Sequence, residues 1–208
     1  MADDNPVVHI VDDDPAMRDS VAFLVSSLGY AVTSHASAEA FLTVWQPGQP
    51  GCVVADIRMP GMSGLDLQQE LVRRSATLGM IFITGHGDIP MAVRAMRQGA
   101  VDFLEKPFDD QRLLDRINEA WRRSQEATRA AARHAERMAR LDRLTVRERH
   151  VLALVVIGKS NKAIARDLDI SIKTVEVHRH NVMEKLQAAS VVDLAAWANE
   201  LKGKPTPL

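Results

Sequence analysis

The chain has 208 residues, a formal net charge of -1 and a single cysteine, Cys52. One cysteine excludes an intrachain disulfide, and no apolar run approaches the roughly 20 residues that a membrane-spanning helix needs. The first residues, Met1 to Asn5, are acidic and lack the basic and apolar regions of a signal peptide. This length predicts two domains, and we expect a cytoplasmic protein without membrane contact.

The charges are divided unevenly along the chain. Residues 1–120 contain 9 Lys and Arg against 17 Asp and Glu, whereas residues 121–208 contain 17 against 10. The basic second half suggests a polyanionic partner, with nucleic acid as the first candidate. Alternatively, arginines on exposed helices merely keep those helices solvated, and charge by itself leaves both interpretations open.

The first half alternates short apolar runs with helical patterns. The apolar runs predict five strands, at Val7–Val11, Tyr30–Thr33, Cys52–Ala55, Met80–Ile83 and Val101–Leu104. The helical patterns lie at Ala16–Leu28, Ala38–Trp45, Leu65–Arg74, Pro90–Gln98 and from Gln111 onward. This alternation predicts an α/β fold, a doubly wound parallel sheet of five strands with right-handed crossovers.

Polar groups stand at the carboxyl ends of four of these strands. The run Asp12-Asp13-Asp14 follows the first strand, Asp56 ends the third, Thr84 follows the fourth, and Lys106 follows the fifth. Ligands of parallel α/β sheets bind outside the carboxyl ends of the strands, so these groups are expected to meet at one edge. A strand-end Asp could also cap the next helix, which is the role expected of Asp14 before Pro15.

These strand-end residues fit a known pattern. The sequences Asp12-Asp13, Asp56-x-x-Met-Pro-x-Met-x-Gly64, Thr84-Gly85 and Lys106-Pro107-Phe108 occur in order within roughly the first 120 residues. In this set the chain resembles the receiver domain of two-component response regulators. The resemblance predicts a phosphoacceptor receiver domain over residues 1–120, with a sensor histidine kinase as its partner.

The resemblance also implies a role for each acidic residue. Asp56 would be the phosphoacceptor, a nucleophile that takes a phosphoryl group as an acyl phosphate. Carboxylate oxygens suit Mg²⁺, which Asp13 and Asp56 would bind directly and Asp12 through water. By resemblance, the backbone carbonyl of Arg58 is a further ligand.

Three other residues complete the expected receiver site. Lys106, with the metal, would neutralise charge on the transferring oxygens, and Thr84 would hydrogen-bond a phosphoryl oxygen. Phe103 matches the switch aromatic of the family, whose ring turns inward when Thr84 moves towards the phosphoryl group. A plain core phenylalanine is the alternative for Phe103.

An aspartyl-nucleophile phosphatase would also use a strand-end Asp with Mg²⁺. Such a phosphatase typically needs a second Asp two residues later as a general acid, and here Arg58 occupies that position. We therefore expect no enzyme activity beyond the receiver's own phosphorylation and dephosphorylation.

A long helical segment is expected between the two halves. Residues 110–144 contain no Gly or Pro and are rich in strong helix formers. An apolar stripe that includes Leu113, Ile117 and Trp121 should pack on the receiver, and beyond Trp121 the stripe fades to mostly small residues. We predict one long helix with residues 121–143 as a linker, and both a coiled coil and a solvated spacer remain open.

Residues 144–208 predict a small all-α domain. Thr145 and Glu148 form a capping-box pattern, and Ser160 and Ser171 are placed to cap two further helices. Two short helices with a tight turn and a basic outer face fit a helix-turn-helix. Any small helical bundle would show the same patterning.

The residues of this part resemble a second family. The pattern comprises Leu144-Thr-x-Arg-Glu148, Gly158-x-Ser-Asn-Lys162-x-Ile-Ala165 and Ser171-x-x-Thr-Val-Glu-x-His-Arg179-x-Asn181-x-Met-x-Lys-Leu186. It is similar to the LuxR-type helix-turn-helix DNA-binding domain, and a receiver followed by this domain resembles the NarL/FixJ family. An RNA-binding antiterminator could also follow a receiver, but its output sequence looks different.

The resemblance to this family implies partners and contacts. The expected partners are double-stranded promoter DNA, RNA polymerase and, after phosphorylation, a second copy of the chain as a homodimer. The residues expected to contact DNA phosphates are Lys162, Lys173, Thr174, Arg179 and Lys185. The residues expected to read bases in the major groove are Glu176, Val177 and His180. The helix predicted over Val191–Leu201 would pair two output domains.

Overall fold

The computed structural model describes residues 7–85, 89–195 and 197. The chain divides into two compact units, residues 1–131 and 132–208, whereas the sequence predicts a receiver that ends at residue 120. One long helix contributes residues to both units. Within the described ranges, no helix combines the length and the apolar character that crossing a membrane requires.

The first unit contains a parallel sheet. Its strands are β1 (Val7–Val11), β2 (Ala31–His35), β3 (Cys52–Asp56), β4 (Gly79–Thr84) and β5 (Asp102–Glu105). They lie in the order β2-β1-β3-β4-β5, and all four neighbouring pairs are parallel. The predicted doubly wound, five-stranded sheet is confirmed. Strands β3 and β4 are buried along their whole length because helices cover both faces.

Five helices surround this sheet. They are α1 (Pro15–Ser26), α2 (Ala38–Val44), α3 (Gly64–Arg73), α4 (Ile89–Arg97) and α5 (Asp110–Asp142). One core cluster joins one sheet face to α2, α3 and α4, and a second joins the other face to α1 and α5. Asp14 caps α1 by accepting the amide of Ala16, and Pro15 is the first helical residue, as predicted.

Helix α5 is fixed to the sheet beyond its predicted apolar stripe. The buried hydroxyl of Ser124 accepts a hydrogen bond from the Gly51 amide at 2.9 Å, and the hydroxyls of Thr77 and Thr128 lie 2.5 Å apart. A Cβ atom at Gly79 would lie 2.6 Å from the backbone oxygen of Ala120, so helix and strand approach closely there. A pattern of apolar spacing does not predict these contacts, because they are made by polar side chains. They attach residues 124 and 128 of α5 to the first unit.

The second unit is helical, as predicted. Besides the end of α5 it contains α6 (Val146–Val156), α7 (Asn161–Leu168), α8 (Ile172–Leu186) and α9 (Val191–Ala195). Thr145 forms a complete capping box with Glu148, and Ser160 and Ser171 cap α7 and α8. Except for Trp197, the part of the predicted last helix beyond Ala195 falls outside the described residues.

Candidate functional site

Two carboxylates meet one ammonium at the carboxyl edge of the sheet. Asp12 follows β1 and Asp56 ends β3, and they are only 5% and 8% exposed. The ammonium of Lys106, which follows β5, lies 3.1 Å from Asp12 Oδ2 and 3.5 Å from Asp56 Oδ1. The parallel topology therefore brings together three groups that are far apart in sequence.

Backbone amides fix the orientation of both carboxylates. The amide of Arg58 donates to Asp56 Oδ2 at 3.0 Å, and the amide of Asp14 donates to Asp12 Oδ1 at 2.9 Å. The amide of Asp12 in turn donates to the backbone oxygen of His35 at 3.2 Å, at the end of β2. Asp56 is thus held by its own loop and by Lys106, with little freedom to rotate.

The charges at this edge do not balance. Burial raises the pKa of Asp56, and the neighbouring carboxylate of Asp12 raises it further, while Lys106 and the Arg58 amide oppose the shift. Among the described residues, the two buried carboxylates share the ammonium of Lys106, so this part of the ionised site holds more negative than positive charge. Such a site favours the approach of a cation with a preference for oxygen ligands.

The predicted metal ligands are only partly brought together. Asp13 lies next to Asp12 but is exposed. Within the described ranges, no three His, Cys, Asp or Glu side chains are grouped so that they could hold a metal ion. Instead Lys106 bridges Asp12 and Asp56, because an ammonium with three donors can serve both carboxylates. The ligand roles of Asp12, Asp13, Asp56 and the Arg58 carbonyl stay predictions.

Thr84 and Phe103 lie on the same face of the sheet. In the β4–β5 register Phe82 is opposite Phe103 and Thr84 is opposite Glu105. Thr84 is 1% exposed, while Phe103 is half-buried and packs on the core beneath α2, α3 and α4. This placement suits a threonine and a ring that move together, although a core phenylalanine would occupy the same position.

A pair of histidines lies on β1 and β2, and no sequence pattern points to it. His9 Nδ1 lies 2.7 Å from the Thr33 hydroxyl, and His35 Nε2 lies 3.2 Å from the same hydroxyl. Both rings pack on Phe41 of α2, with ring centroids 5.1 and 5.4 Å away. Burial lowers the pKa of His9 to about 4, with a further contribution from His35, and burial also lowers the pKa of His35.

The histidine pair predicts a loss of stability in acid. His9 binds its proton in the unfolded chain near its ordinary pKa of 6.5 but in the folded chain only near 4. The unfolded state therefore binds more protons below neutrality, and His9 should lower the free energy of unfolding by about 2 kcal/mol between roughly pH 7 and pH 5. Urea titrations of the wild type and of His9→Gln at both pH values measure this contribution as the difference between the two proteins. Equal losses in both would contradict the assignment.

The second unit contains an ion pair between a buried carboxylate and a half-buried lysine. Glu148 is 3% exposed, and its Oε2 accepts the Thr145 amide of the capping box at 2.8 Å. The ammonium of Lys185 lies 2.9 and 2.7 Å from the two carboxylate oxygens of Glu148. Burial by itself would raise the pKa of Glu148, but Lys185 and Thr145 together hold it below its ordinary value. Lys185, expected to contact DNA, is therefore engaged inside the domain.

Helix α8 separates a buried face from an exposed one. Val175, Val182 and Leu186 point into the core. The three residues predicted to read bases are exposed: Glu176, Val177 and His180. Lys173 on α8 and Lys162 on α7 are exposed as well, and Thr174 is half-buried beside the cap residue Ser171. Arg179 Nη1 donates to Asn161 Oδ1 at 2.7 Å and so ties α8 to the start of α7.

Two family patterns match the chain. Residues 8–118 match the response regulator receiver domain, and residues 142–198 match the bacterial regulatory proteins of the luxR family. The first match covers the sheet and the acidic edge, and the second covers the four helices of the second unit.

Individual proteins resemble the chain over most of its length. It is 51% identical to the transcriptional regulatory protein FixJ of Azorhizobium caulinodans over 191 residues. This alignment covers 92% of this chain and 90% of that protein. The solved structure of the response regulator StyR matches with a TM-score of 0.84 at 43% identity, covering 94% of this chain and 99% of that one. Full-length FixJ from B. japonicum matches with a TM-score of 0.55 at 43% identity, covering 96% and 98%.

Proposed function

Because this chain belongs to the response regulators of the NarL/FixJ family, in which a receiver domain precedes a LuxR-type DNA-binding domain, we propose that phosphorylation of Asp56 controls its binding to DNA. The chain is a two-component transcription regulator. The observation that supports the phosphoacceptor role best is the placement of Asp56 at a strand end, against Lys106 and the Arg58 amide.

The proposed reaction is a phosphoryl transfer from a sensor histidine kinase. A carboxylate oxygen of Asp56 attacks the phosphorus of a phosphohistidine, the phosphorus–nitrogen bond breaks, and the imidazole leaves with the electron pair and takes up a proton. Asp56 must be ionised to attack, and Lys106 favours that form against the effect of burial. After transfer the ammonium of Lys106 neutralises part of the phosphoryl charge.

Mg²⁺ is the proposed cofactor. Asp12, Asp13, Asp56 and the backbone carbonyl of Arg58 would hold it, and it would supply positive charge to the transferring oxygens. The chemistry of the donor set fits, because carboxylate and carbonyl oxygens suit this ion and because, among the described residues, the two buried carboxylates share the ammonium of Lys106. The Arg58 amide and Lys106 position the carboxylate of Asp56.

Phosphorylation is proposed to act on dimer formation through Thr84 and Phe103. Thr84 would turn to hydrogen-bond a phosphoryl oxygen, and the ring of Phe103 would move into the space beside it. Helix α4 follows Thr84 in the chain and exposes the apolar side chains of Ile89, Val93 and Met96. We assign this exposed stripe to the contact between two phosphorylated receivers.

The coupling of phosphorylation to dimer formation and DNA binding is testable. With a small phosphodonor and Mg²⁺, sedimentation should show a change from monomer to dimer, and affinity for operator DNA should rise about 10-fold. Met96→Asp should still take up phosphate but stay monomeric, because a charge in the interface opposes pairing. Val72→Asp, at a similarly exposed apolar position on α3, is the matched control and should dimerise normally. An unchanged mass of the phosphorylated wild type would refute the coupling.

The proposed DNA contacts lie on α7 and α8. Lys162, Lys173, Thr174 and Arg179 would contact phosphates, and Glu176, Val177 and His180 would reach base edges in the major groove. A dimer would place two α8 helices in half-sites about one helical turn apart, roughly 10 bp. RNA polymerase is the further partner that regulation of transcription requires.

Variants of α8 should separate base contacts from phosphate contacts. His180→Ala or Glu176→Ala should change the preferred sequence, by about 1–3 kcal/mol at one base position. Lys173→Ala should weaken binding to all sequences alike and reduce the salt slope by about one. Selection from random duplex DNA and salt titrations measure the two effects. If every variant keeps the same preferred sequence, α8 does not read bases through these side chains.

A further inference from the structure

The loop between β3 and α3, residues 57–63, is held at its tip by another helix. Glu39 lies in the first turn of α2, and its Oε1 accepts the amide of Met62 at 2.8 Å. A Cβ atom added to Gly61, which has φ +76°, would lie 2.7 Å from the same oxygen. The carboxylate of Glu39 therefore rests directly on the backbone of the loop tip.

The carboxylate of Glu39 is itself held in place. Ser37 caps α2 by accepting the amide of Ala40, which sets the direction of the first helical turn. The backbone amide of Glu39 and then the amide of Met62 stabilise the ionised carboxylate and lower its pKa. Glu39 is thus ionised at neutral pH, and its carboxylate accepts a hydrogen bond from the β3–α3 loop.

The same loop carries the contacts of the phosphoacceptor. The Arg58 amide donates to Asp56 Oδ2, and the Gly64 amide donates to the backbone oxygen of Ile57 at 3.0 Å. The side chain of Met59 is buried, whereas Pro60 and Gly61 are exposed. The base of the loop is therefore fixed by its own chain, and Glu39 joins its exposed tip to α2.

We propose that Glu39 is a positioning residue of the phosphoacceptor site, which holds the β3–α3 loop so that Arg58 keeps its backbone groups turned towards Asp56. This inference rests on the proposed function, because it gives Glu39 a role only if Asp56 accepts a phosphoryl group and Arg58 helps to hold Mg²⁺. Partners that orient a metal ligand without touching the metal typically contribute a factor of 10–100 to affinity.

Two substitutions separate the reach of Glu39 from its charge. Glu39→Asp keeps the charge but is one methylene too short to reach Met62, whereas Glu39→Gln loses the charge but keeps an acceptor oxygen at the same distance. Glu39→Ala removes both, and Glu126→Ala, at an exposed site on α5, is the matched control for a lost surface charge. If Glu39→Ala fails to fold, Glu39→Asp carries the same test.

The first measurement needs neither metal nor phosphodonor. In the full-length protein without Mg²⁺, the Met62 amide should exchange with solvent about 10-fold faster in Glu39→Asp than in wild type, as expected for losing one hydrogen bond to a charged acceptor. Glu39→Gln and Glu126→Ala should stay within about 3-fold of wild type, because a neutral acceptor retains much of the bond. Unchanged exchange in Glu39→Asp would overturn the proposal.

The second measurement is the Mg²⁺ concentration that gives half the maximal rate of phosphoryl uptake from a small phosphodonor. We expect this concentration to rise about 10-fold in Glu39→Asp and Glu39→Ala and to change little in Glu39→Gln. If wild type takes up phosphate on Asp56 and all variants need the same Mg²⁺ concentration, the positioning role is wrong and the proposed function stands. If wild type takes up no phosphate at any Mg²⁺ concentration, the proposed function fails, and the exchange data still report the loop contact.

Discussion

Asp56→Asn should take up no phosphoryl group from a small phosphodonor in the presence of Mg²⁺, under conditions that label the wild type. The side-chain oxygen of the asparagine can still accept a hydrogen bond from the backbone amide of Arg58, so the loop should keep its conformation. It carries no negative charge and no nucleophilic carboxylate oxygen, so the acyl phosphate cannot form. Mass spectrometry of the intact protein measures the uptake, and a phosphoryl group found on the variant would place the acceptor elsewhere.

The urea concentration at which Asp56→Asn unfolds shows whether the variant fails to take up phosphate because it lacks the nucleophile or because it is misfolded. Because burial raises the pKa of Asp56, the ionised carboxylate destabilises the folded state at neutral pH. Asp56→Asn removes that charge while Asp12 remains to pair with Lys106, so the variant should unfold at the same or a higher urea concentration than the wild type. Asp14→Asn is the matched control, since asparagine caps a helix as well as aspartate does, and it should be labelled normally.

Lys185→Ala should lower the free energy of unfolding of the second unit by about 1–2 kcal/mol, less than for a fully buried pair because the lysine side chain is partly exposed. The substitution leaves the buried Glu148 carboxylate without its counter-ion. The Thr145 amide still donates a hydrogen bond to this carboxylate. Lys173→Ala on the same helix removes an exposed charge and should change stability by less than about 0.5 kcal/mol. Urea titrations of the full chain, followed by a probe in the second unit, measure both.

The pH dependence of this effect has a definite sign. In the wild type the pKa of Glu148 is lowered, so its contribution to stability is present above the ordinary pKa and is lost as the pH falls through the folded value. The deficit of Lys185→Ala should therefore shrink in acid, where Glu148 becomes neutral in both proteins. The double variant Glu148→Gln with Lys185→Met should recover most of the loss at neutral pH. A constant deficit at every pH would show that the lysine stem, and not its charge, is what stabilises the domain.

Lys185 has a partner inside the domain that the sequence pattern did not reveal, and its contact with DNA stays a prediction. Its place after the predicted base-reading residues suggests a phosphate contact, because a lysine on a basic helix normally faces solvent. Glu148 lies 37 residues earlier in the chain, at N3 of another helix, and only the packing of α6 against α8 brings the two together. The sequence shows the capping box of Thr145 and Glu148, but it does not show that the Glu148 carboxylate also pairs with Lys185.

The acidic edge was accessible to prediction for a physical reason. Strand periodicity identifies β1, β3 and β5, and parallel pairing places the carboxyl ends of all three at one edge. Asp12, Asp56 and Lys106 are therefore brought together by topology, without knowledge of any side-chain packing. His9 lies on β1 and His35 lies on β2. Their shared contact with Thr33 depends on the register of β2, an edge strand, and apolar spacing does not determine that register.

Ser124 and Thr128 form hydrogen bonds to the loops before β3 and β4, and these bonds determine where the receiver can be separated from the rest of the chain. A fragment that stops at residue 120, where apolar spacing ends the domain, would leave the Gly51 amide without its buried acceptor and Thr77 without Thr128. Each lost hydrogen bond costs about 0.5–1.5 kcal/mol, which is a considerable share of the roughly 5–15 kcal/mol by which a small domain is stable. A fragment or chimera joined after residue 131 keeps both contacts, so grafting this receiver onto another output domain should begin there.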